Sequence, residues 1–416
     1  MPAAPVIKAS IDFSNGVAFV GEPFILDSVT NGILDTNQLG TSANANVDIS
    51  NLIWAVSIRR GRQRLLNEFE AGTANVTIID QNGDFNPSNP SSPYYGDLVP
   101  LRKIQIEAEY NGSTYVLFTG FITNYDTGFA IGSDEFSRVT FRCVDALRLF
   151  TTAQITSVPG SGVQLSGARI NAILDELDYP ATLRDIDAGD STLQADPGTQ
   201  RKALDALELV KKSEFGELFL DAEGRVTFNS RSHVTSSLAS PVYDFADDGT
   251  GIAFQSAVVA LDDSLVVNDV TVTRSGGSAQ NVFDQDSIDK YFIHSGNRDG
   301  ILVQTDAEAL DMAEMLLSTR KETETRIDSI LLNLEDGDDV SRVTAGLAIE
   351  LMDCVDITKV MPGSTSITQT LLVQGLHHDI THRKFTTTVY TGESLIDGFI
   401  LDSASQGILD TDALSY

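Results

Sequence analysis

Ser57-Ile58-Arg59-Arg60-Gly61-Arg62-Gln63-Arg64, then Phe69-Glu70-Ala71-Gly72-Thr73-Ala74-Asn75-Val76-Thr77-Ile78-Ile79-Asp80, then Ile104-Gln105-Ile106-Glu107-Ala108 form the stretch that decides the fold. Ala74, Val76 and Ile78 recur at every second position, as do Ile104, Ile106 and Ala108, with polar residues between them. A period of two marks half-buried antiparallel strands with one face on a core. The connector between these runs carries Asn82-Gly83-Asp84-Phe85-Asn86-Pro87 and Ser91-Ser92-Pro93-Tyr94-Tyr95-Gly96. Asn, Pro, Ser and Gly supply turns and deny strand continuation, so the two strands are joined by an ordered excursion. Arg59, Arg60, Arg62 and Arg64 form the densest basic cluster of an acidic chain. They read either as a solvated strand face or as a docking surface for a negative partner.

Around this stretch lie 416 residues, more than one core usually supports, so two to four domains are expected. A hydrophobic content of 42% is that of a globular chain. With 59 acidic against 28 basic residues the net charge is -31, which argues against gripping nucleic acid by phosphate neutralisation. No run approaches the ~20 apolar residues of a membrane span and no signal peptide is seen, so synthesis in a cytoplasm without membrane insertion is expected. Cys143 and Cys354 sit far apart in apolar strand-like runs and read as buried free thiols.

Along the chain, residues 1–46 read as an N-terminal arm, 47–150 as a first antiparallel β-barrel or sandwich domain, and 151–240 as a small α+β insert. Residues 241–395 read as a second β domain with a helix, and 396–416 as a C-terminal arm. The insert is placed by a helix from Ser166 behind a Ser cap, ended by Pro180, a second helix over roughly 199–213, and a hairpin over 216–228. The helix of the second β domain, about 306–319, puts Ala309, Met312, Ala313 and Leu316 on one stripe. The two arms share one phrase. Phe24-Ile25-Leu26-Asp27-Ser28 with Gly32-Ile33-Leu34-Asp35-Thr36 and Leu39 returns at equal spacing as Phe399-Ile400-Leu401-Asp402-Ser403 with Gly407-Ile408-Leu409-Asp410-Thr411 and Leu414. Copies this short cannot build a core of their own. Each is either a decoration on its own domain or a strand-forming arm that grips an exposed sheet edge of a neighbour, with Phe24, Leu26, Leu34, Phe399, Leu401 and Leu409 as its contacts.

The ordered set Ser-Ile-Arg-Arg-Gly-Arg, Phe-Glu-Ala-Gly-Thr-Ala, Asp-x-Asn-Gly-Asp-Phe-Asn-Pro and Ser-Pro-Tyr-Tyr resembles the amino-terminal half of minor tail proteins of long flexible-tailed bacteriophages, the group similar to the phage T4 baseplate hub. The Leu117-Phe118-Thr119-Gly120 strand, the Val139-Thr140-Phe141 strand with Cys143 and Asp145, and the run Glu214-Phe215-Gly216-Glu217-Leu218-Phe219-Leu220-Asp221 extend the resemblance over roughly residues 47 to 395. It implies a mainly β chain in which two tube-like domains flank an α+β insert. It further implies a homotrimeric structural hub at the tail tip of a virion, with no enzymatic activity and no cofactor. Partners implied are the distal tail and tail tube proteins, the tape measure protein and tail fibre or receptor-binding proteins, with DNA met only in passage. A hexameric distal tail protein and a tail-borne cell-wall hydrolase are the alternatives.

Residues that could carry chemistry do not converge. On a strand His378 and His382 would point to one side and His377 to the other, so they do not converge as a metal site would. Asp80, Asn82, Asp84 and Asn86 mimic the start of a calcium loop, but Phe85 stands where its Gly belongs, so a turn is the better reading. There is no Gly-rich phosphate loop and no Gly-x-Ser-x-Gly elbow. One Trp, Trp54, and an aromatic content of 7% argue against a sugar-stacking platform.

Overall fold

The alternation of the opening stretch becomes strand pairing. The computed structural model describes residues 4–13, 46–62, 69–128, 137–158, 162–335, 339–363 and 365–394. Arg64 and both copies of the repeated phrase, with Phe24, Leu26, Leu34, Phe399, Leu401 and Leu409, lie outside the described residues. Ile53–Gly61, Glu70–Ile79, Arg138–Val144, Ser113–Gly128, Arg102–Tyr110 and Val6–Asp12 pair antiparallel in that order. Ala74, Val76, Ile78, Ile104, Ile106 and Ala108 are all buried, as their period requires. The two strands that carry them are not neighbours, because Arg138–Val144 and Ser113–Gly128 come between.

The excursion between them is tied down by Asp80, whose carboxylate accepts from the backbone N–H groups of Asp84 (2.8 Å) and Phe85 (3.0 Å). That turn drops Phe85 into the core, edge-on to Phe141 with ring centroids 5.5 Å apart. Tyr94 lies against Phe85 at 5.0 Å and stacks on Phe13 at 5.2 Å, so it is a packing residue, while Tyr95 faces solvent.

The remaining strands extend the same sheet. Thr365–Thr381 is long enough to serve two regions. Its first half pairs with Cys354–Met361, and its second half lies between Lys384–Gly392 and Ile53–Gly61. Beyond Lys384–Gly392 come Arg326–Asn333 and the edge strand Ser256–Ala260, and Tyr243–Ala246 adds parallel to Cys354–Met361. The chain is therefore mainly β, organised on a sheet of 13 strands. Ile58 and Phe118 from the early strands share one hydrophobic core with Ile330, Val355 and Leu372 from the late ones.

Two smaller cores flank it. Helices Ser166–Glu176 and Ala203–Glu214 pack with the hairpin Glu217–Leu220/Val226–Asn229 around Ile170, Leu174, Leu207 and Phe228. The expected Ser cap is not there. Leu165 holds the cap position with no side-chain cap, and Ser166 is the buried first residue of the helix. Helix Asp306–Arg320 buries the stripe Ala309, Met312, Ala313 and Leu316, but against a separate sheet of Gln280–Phe283, Asp269–Arg274 and Ser295–Ile301. Helix Val340–Ala348, absent from the sequence reading, starts where Asp339 accepts from the N–H of Arg342 at 3.0 Å.

Candidate functional site: a buried polar joint

Strand Ile53–Gly61 carries Val56 and Ile58 on its core face, and a period of two continues that face to Arg60 and then Arg62 just beyond its end. Arg60 is only 5% exposed and Arg62 only 6%, whereas Arg59 points outward. For Arg60 and Arg62 the expected outward basic surface is thus corrected. Both charges are turned inward and are neutralised by carboxylates of this chain, as burial of a charge demands.

Each guanidinium ties the early strands to a different late element. Arg60 donates from its terminal nitrogen to Glu350 Oε1 at 2.5 Å, and the other oxygen of Glu350 accepts from the N–H of Ala222 at 2.9 Å. Arg62 spans Glu217 through both terminal nitrogens, at 2.7 and 3.3 Å, and gives Nε to Gln374 Oε1 at 2.7 Å. Its carbon centre lies 4.3 Å over the ring of Phe69. Glu217 starts strand Glu217–Leu220 and Ala222 follows it, Glu350 lies just past helix Val340–Ala348, and Gln374 is on strand Thr365–Thr381. The joint is therefore a three-way weld.

The backbone there is as tight as the side chains. Gly61 has φ +83°, and a Cβ on it would stand 2.4 Å from the carbonyl oxygen of Gln374 and 2.7 Å from Cα of Gly375. A Cβ on Gly375 would stand 2.4 Å from the carbonyl oxygen of Arg62. Gly61 and Gly375 face each other in the antiparallel pair, and glycine at both positions lets the strands approach this closely.

Carboxylates around the joint are held out of water. Asp145 accepts from the N–H groups of Gly72 (2.5 Å) and Leu147 (3.0 Å), yet burial pushes its pKa up to about 7 against those bonds and the pull of Arg60. Burial likewise raises Asp353, which accepts from the N–H of Glu350, to about 6. His378 is buried with Nδ1 2.9 Å from the hydroxyl oxygen of Thr387, and burial pushes it down to about 3. His377 meets Ser57 at 3.2 Å, and His382 falls in the exposed turn after the strand rather than on it. Among the described residues no group of three or more His, Cys, Asp or Glu side chains is placed to hold a metal ion.

Asp145, Glu217, Glu350, Asp353 and Gln374 were not singled out from sequence. One signal could have found the need for them: Arg60 and Arg62 continue the Val56 and Ile58 face, so they required buried acidic partners.

No protein-family model and no curated protein sequence matches the chain. Solved structures do. A tail protein from Neisseria meningitidis MC58 aligns with a TM-score of 0.55 at 11% identity, over 94% of this chain and 98% of that one. The 43 kDa tail protein of prophage MuSo2 from Shewanella oneidensis aligns with a TM-score of 0.55 at 11% identity, over 85% of this chain and 98% of that one. At such identity the likeness is one of architecture, and the chain has the fold of these tail proteins.

Proposed function

We propose that this chain is a structural protein of a phage tail, working as a homotrimeric hub at the distal tip. The observation that carries the reading is the fold shared with a tail protein over 94% of the chain, which joins the ordered motifs from Ser57 to Tyr95. In this role two β regions per chain give six tube-like units per trimer, so a threefold hub matches a sixfold tube. The buried joint at Arg60 and Arg62 suits a part that must keep its modules in fixed orientation under load. Its neighbours would be the distal tail or tube protein, the tape measure protein, and fibre or receptor-binding proteins. DNA would meet it only in passage, and a net charge of -31 would keep a DNA-facing wall from sticking to phosphate.

Light scattering behind a sizing column tests the assembly. A mass near three times 44.8 kDa supports the hub, and six times that mass favours a distal ring protein. A monomer moves the reading toward an independent module. A cleared band on a zymogram of host envelope would replace the structural role with a hydrolase.

A further inference from the structure

Strands Gln280–Phe283 and Ser295–Ile301 lie on either side of Asp269–Arg274. Between them the chain makes one excursion, the helix Gln285–Tyr291 followed by Phe292-Ile293-His294. Both ends of the excursion are hooked on Asn268. Its N–H donates to the carbonyl oxygen of His294 at 3.0 Å, and its carbonyl oxygen accepts from the N–H of Asp284 at 3.0 Å. Its wholly buried side chain adds three more bonds. Nδ2 donates to the carbonyl oxygen of Phe292 at 2.8 Å and to the hydroxyl of Ser287 at 3.1 Å, and Oδ1 accepts from the N–H of His294 at 2.7 Å.

Within this clamp Phe292 adopts φ +68° and ψ 173°, a region of backbone space that is essentially reserved for glycine. Phe215 and Met352 also have positive φ, but both are buried, so packing offsets the strain. Phe292 is 77% exposed, and little packing offsets its strain. Ile293 beside it is 48% exposed, and Phe283, which leads into the excursion, 56%. Three large apolar side chains therefore stand in water on a backbone fixed by a buried amide, as a preformed contact surface would present them.

The charges around this tip select the partner. Lys290 is paired with Glu322 at 2.6 Å and Lys321 with Asp284 at 3.0 Å, so both lysines are already matched. Asp286 and Asp289, on the helix itself, are exposed, and neither meets a cation among the described residues. Their charge repels an acidic protein or an anionic lipid surface and attracts a basic partner.

We propose that Phe283, Phe292 and Ile293 form the docking tip for a basic amphipathic segment of another protein. The apolar face of that segment covers the three side chains, and its Lys or Arg flanks meet Asp286 and Asp289. The tip stands whether or not the tail reading does.

Fluorescence anisotropy with the full chain tests it. The probe is a labelled peptide helix of leucine and lysine at amphipathic spacing, with a leucine and glutamate helix as its counterpart. The Leu/Lys helix is expected to bind the parent and the Leu/Glu helix is not. Phe292→Ser should weaken binding by about tenfold or more. Asp286→Asn with Asp289→Asn should weaken it too and flatten its dependence on salt. No binding to the parent overturns the proposal. Equal affinity for the parent and Phe292→Ser also overturns it, since the peptide would then be held by the overall negative charge alone. Light scattering and flotation with phosphatidylcholine vesicles cover the other occupants: self-association or vesicle binding that Phe292→Ser abolishes would assign the tip to a second copy or to a bilayer and overturn the proposal. Phe292→Gly separates recognition from folding. It should lose the peptide yet raise the melting temperature, because glycine adopts this backbone without strain. A lower melting temperature would make Phe292 a structural residue and overturn the docking role.

Discussion

Arg62 and Glu217 meet at 2.7 Å with both side chains almost wholly shut from water, although 155 residues separate them in the chain. The pair joins the residue just past strand Ile53–Gly61 to the first residue of strand Glu217–Leu220. With Arg60 and Glu350 it ties distant stretches of the chain together through ion pairs.

Breaking that pair is expected to cost more than removing it. Glu217→Gln leaves the Arg62 guanidinium buried without a counter-charge, an expected loss of about 3–5 kcal/mol. The double variant Arg62→Met with Glu217→Leu strands no charge and should lie within about 1–2 kcal/mol of the parent. Denaturant unfolding of the three proteins checks the order. Equal losses in single and double variants would show that the pair acts through shape alone.

How much of this was legible follows from what is local. The period of two at Ala74 to Ile78 and Ile104 to Ala108, and the stripe from Ala309 to Leu316, are readable because each depends on a few successive residues. The pairing of His377 with Arg59 is not, since nothing near either residue names a partner more than 300 positions away. Helix Asp306–Arg320 was placed by its stripe, but the sheet it covers could not be, because a stripe states that a face is buried and not against what. Arg59, Arg60 and Arg62 read as one cluster from their spacing, while the strand sends alternate members to opposite faces.

Gly61 is expected to tolerate no side chain. Gly61→Ala meets the carbonyl of Gln374 at 2.4 Å and imposes φ +83° on an L residue, so it should lose well over the ~1–3 kcal/mol of backbone strain alone. Gly112→Ala is the control, with φ +80° but open space around its Cβ. It should show the strain without the clash. Limited proteolysis should cut the first variant faster than the second.

Both thiols should be silent in the native protein. Cys143 and Cys354 are buried and unpaired, and burial pushes the Cys354 thiol up to about 12 and that of Cys143 higher still. An aromatic disulfide reagent at pH 8 should label neither within minutes and should label two thiols per chain in urea. Labelling of one in the native state would mean that the sheet opens locally on that timescale.

Asp145 should make the joint weaken as pH rises through neutrality. Its ordinary pKa is 3.8, and burial raises it to about 7 in the folded chain, so the folded state binds the proton more tightly than the unfolded one. Such a group stabilises fully below 3.8, and the contribution is lost as pH rises through about 7. Asp353, raised to about 6, acts in the same direction over a narrower window. Asp145→Asn cannot titrate. Like the protonated carboxyl it keeps only one carbonyl acceptor for the N–H groups of Gly72 and Leu147, so the two proteins are compared by slope rather than by height. Between pH 4 and 7 the parent should lose stability relative to this variant, with a slope difference approaching about 1.4 kcal/mol per pH unit. Melting temperature measured across that range for both proteins decides it: parallel curves would mean that Asp145 stays ionised in the fold, held by its two backbone N–H donors against the cost of burial.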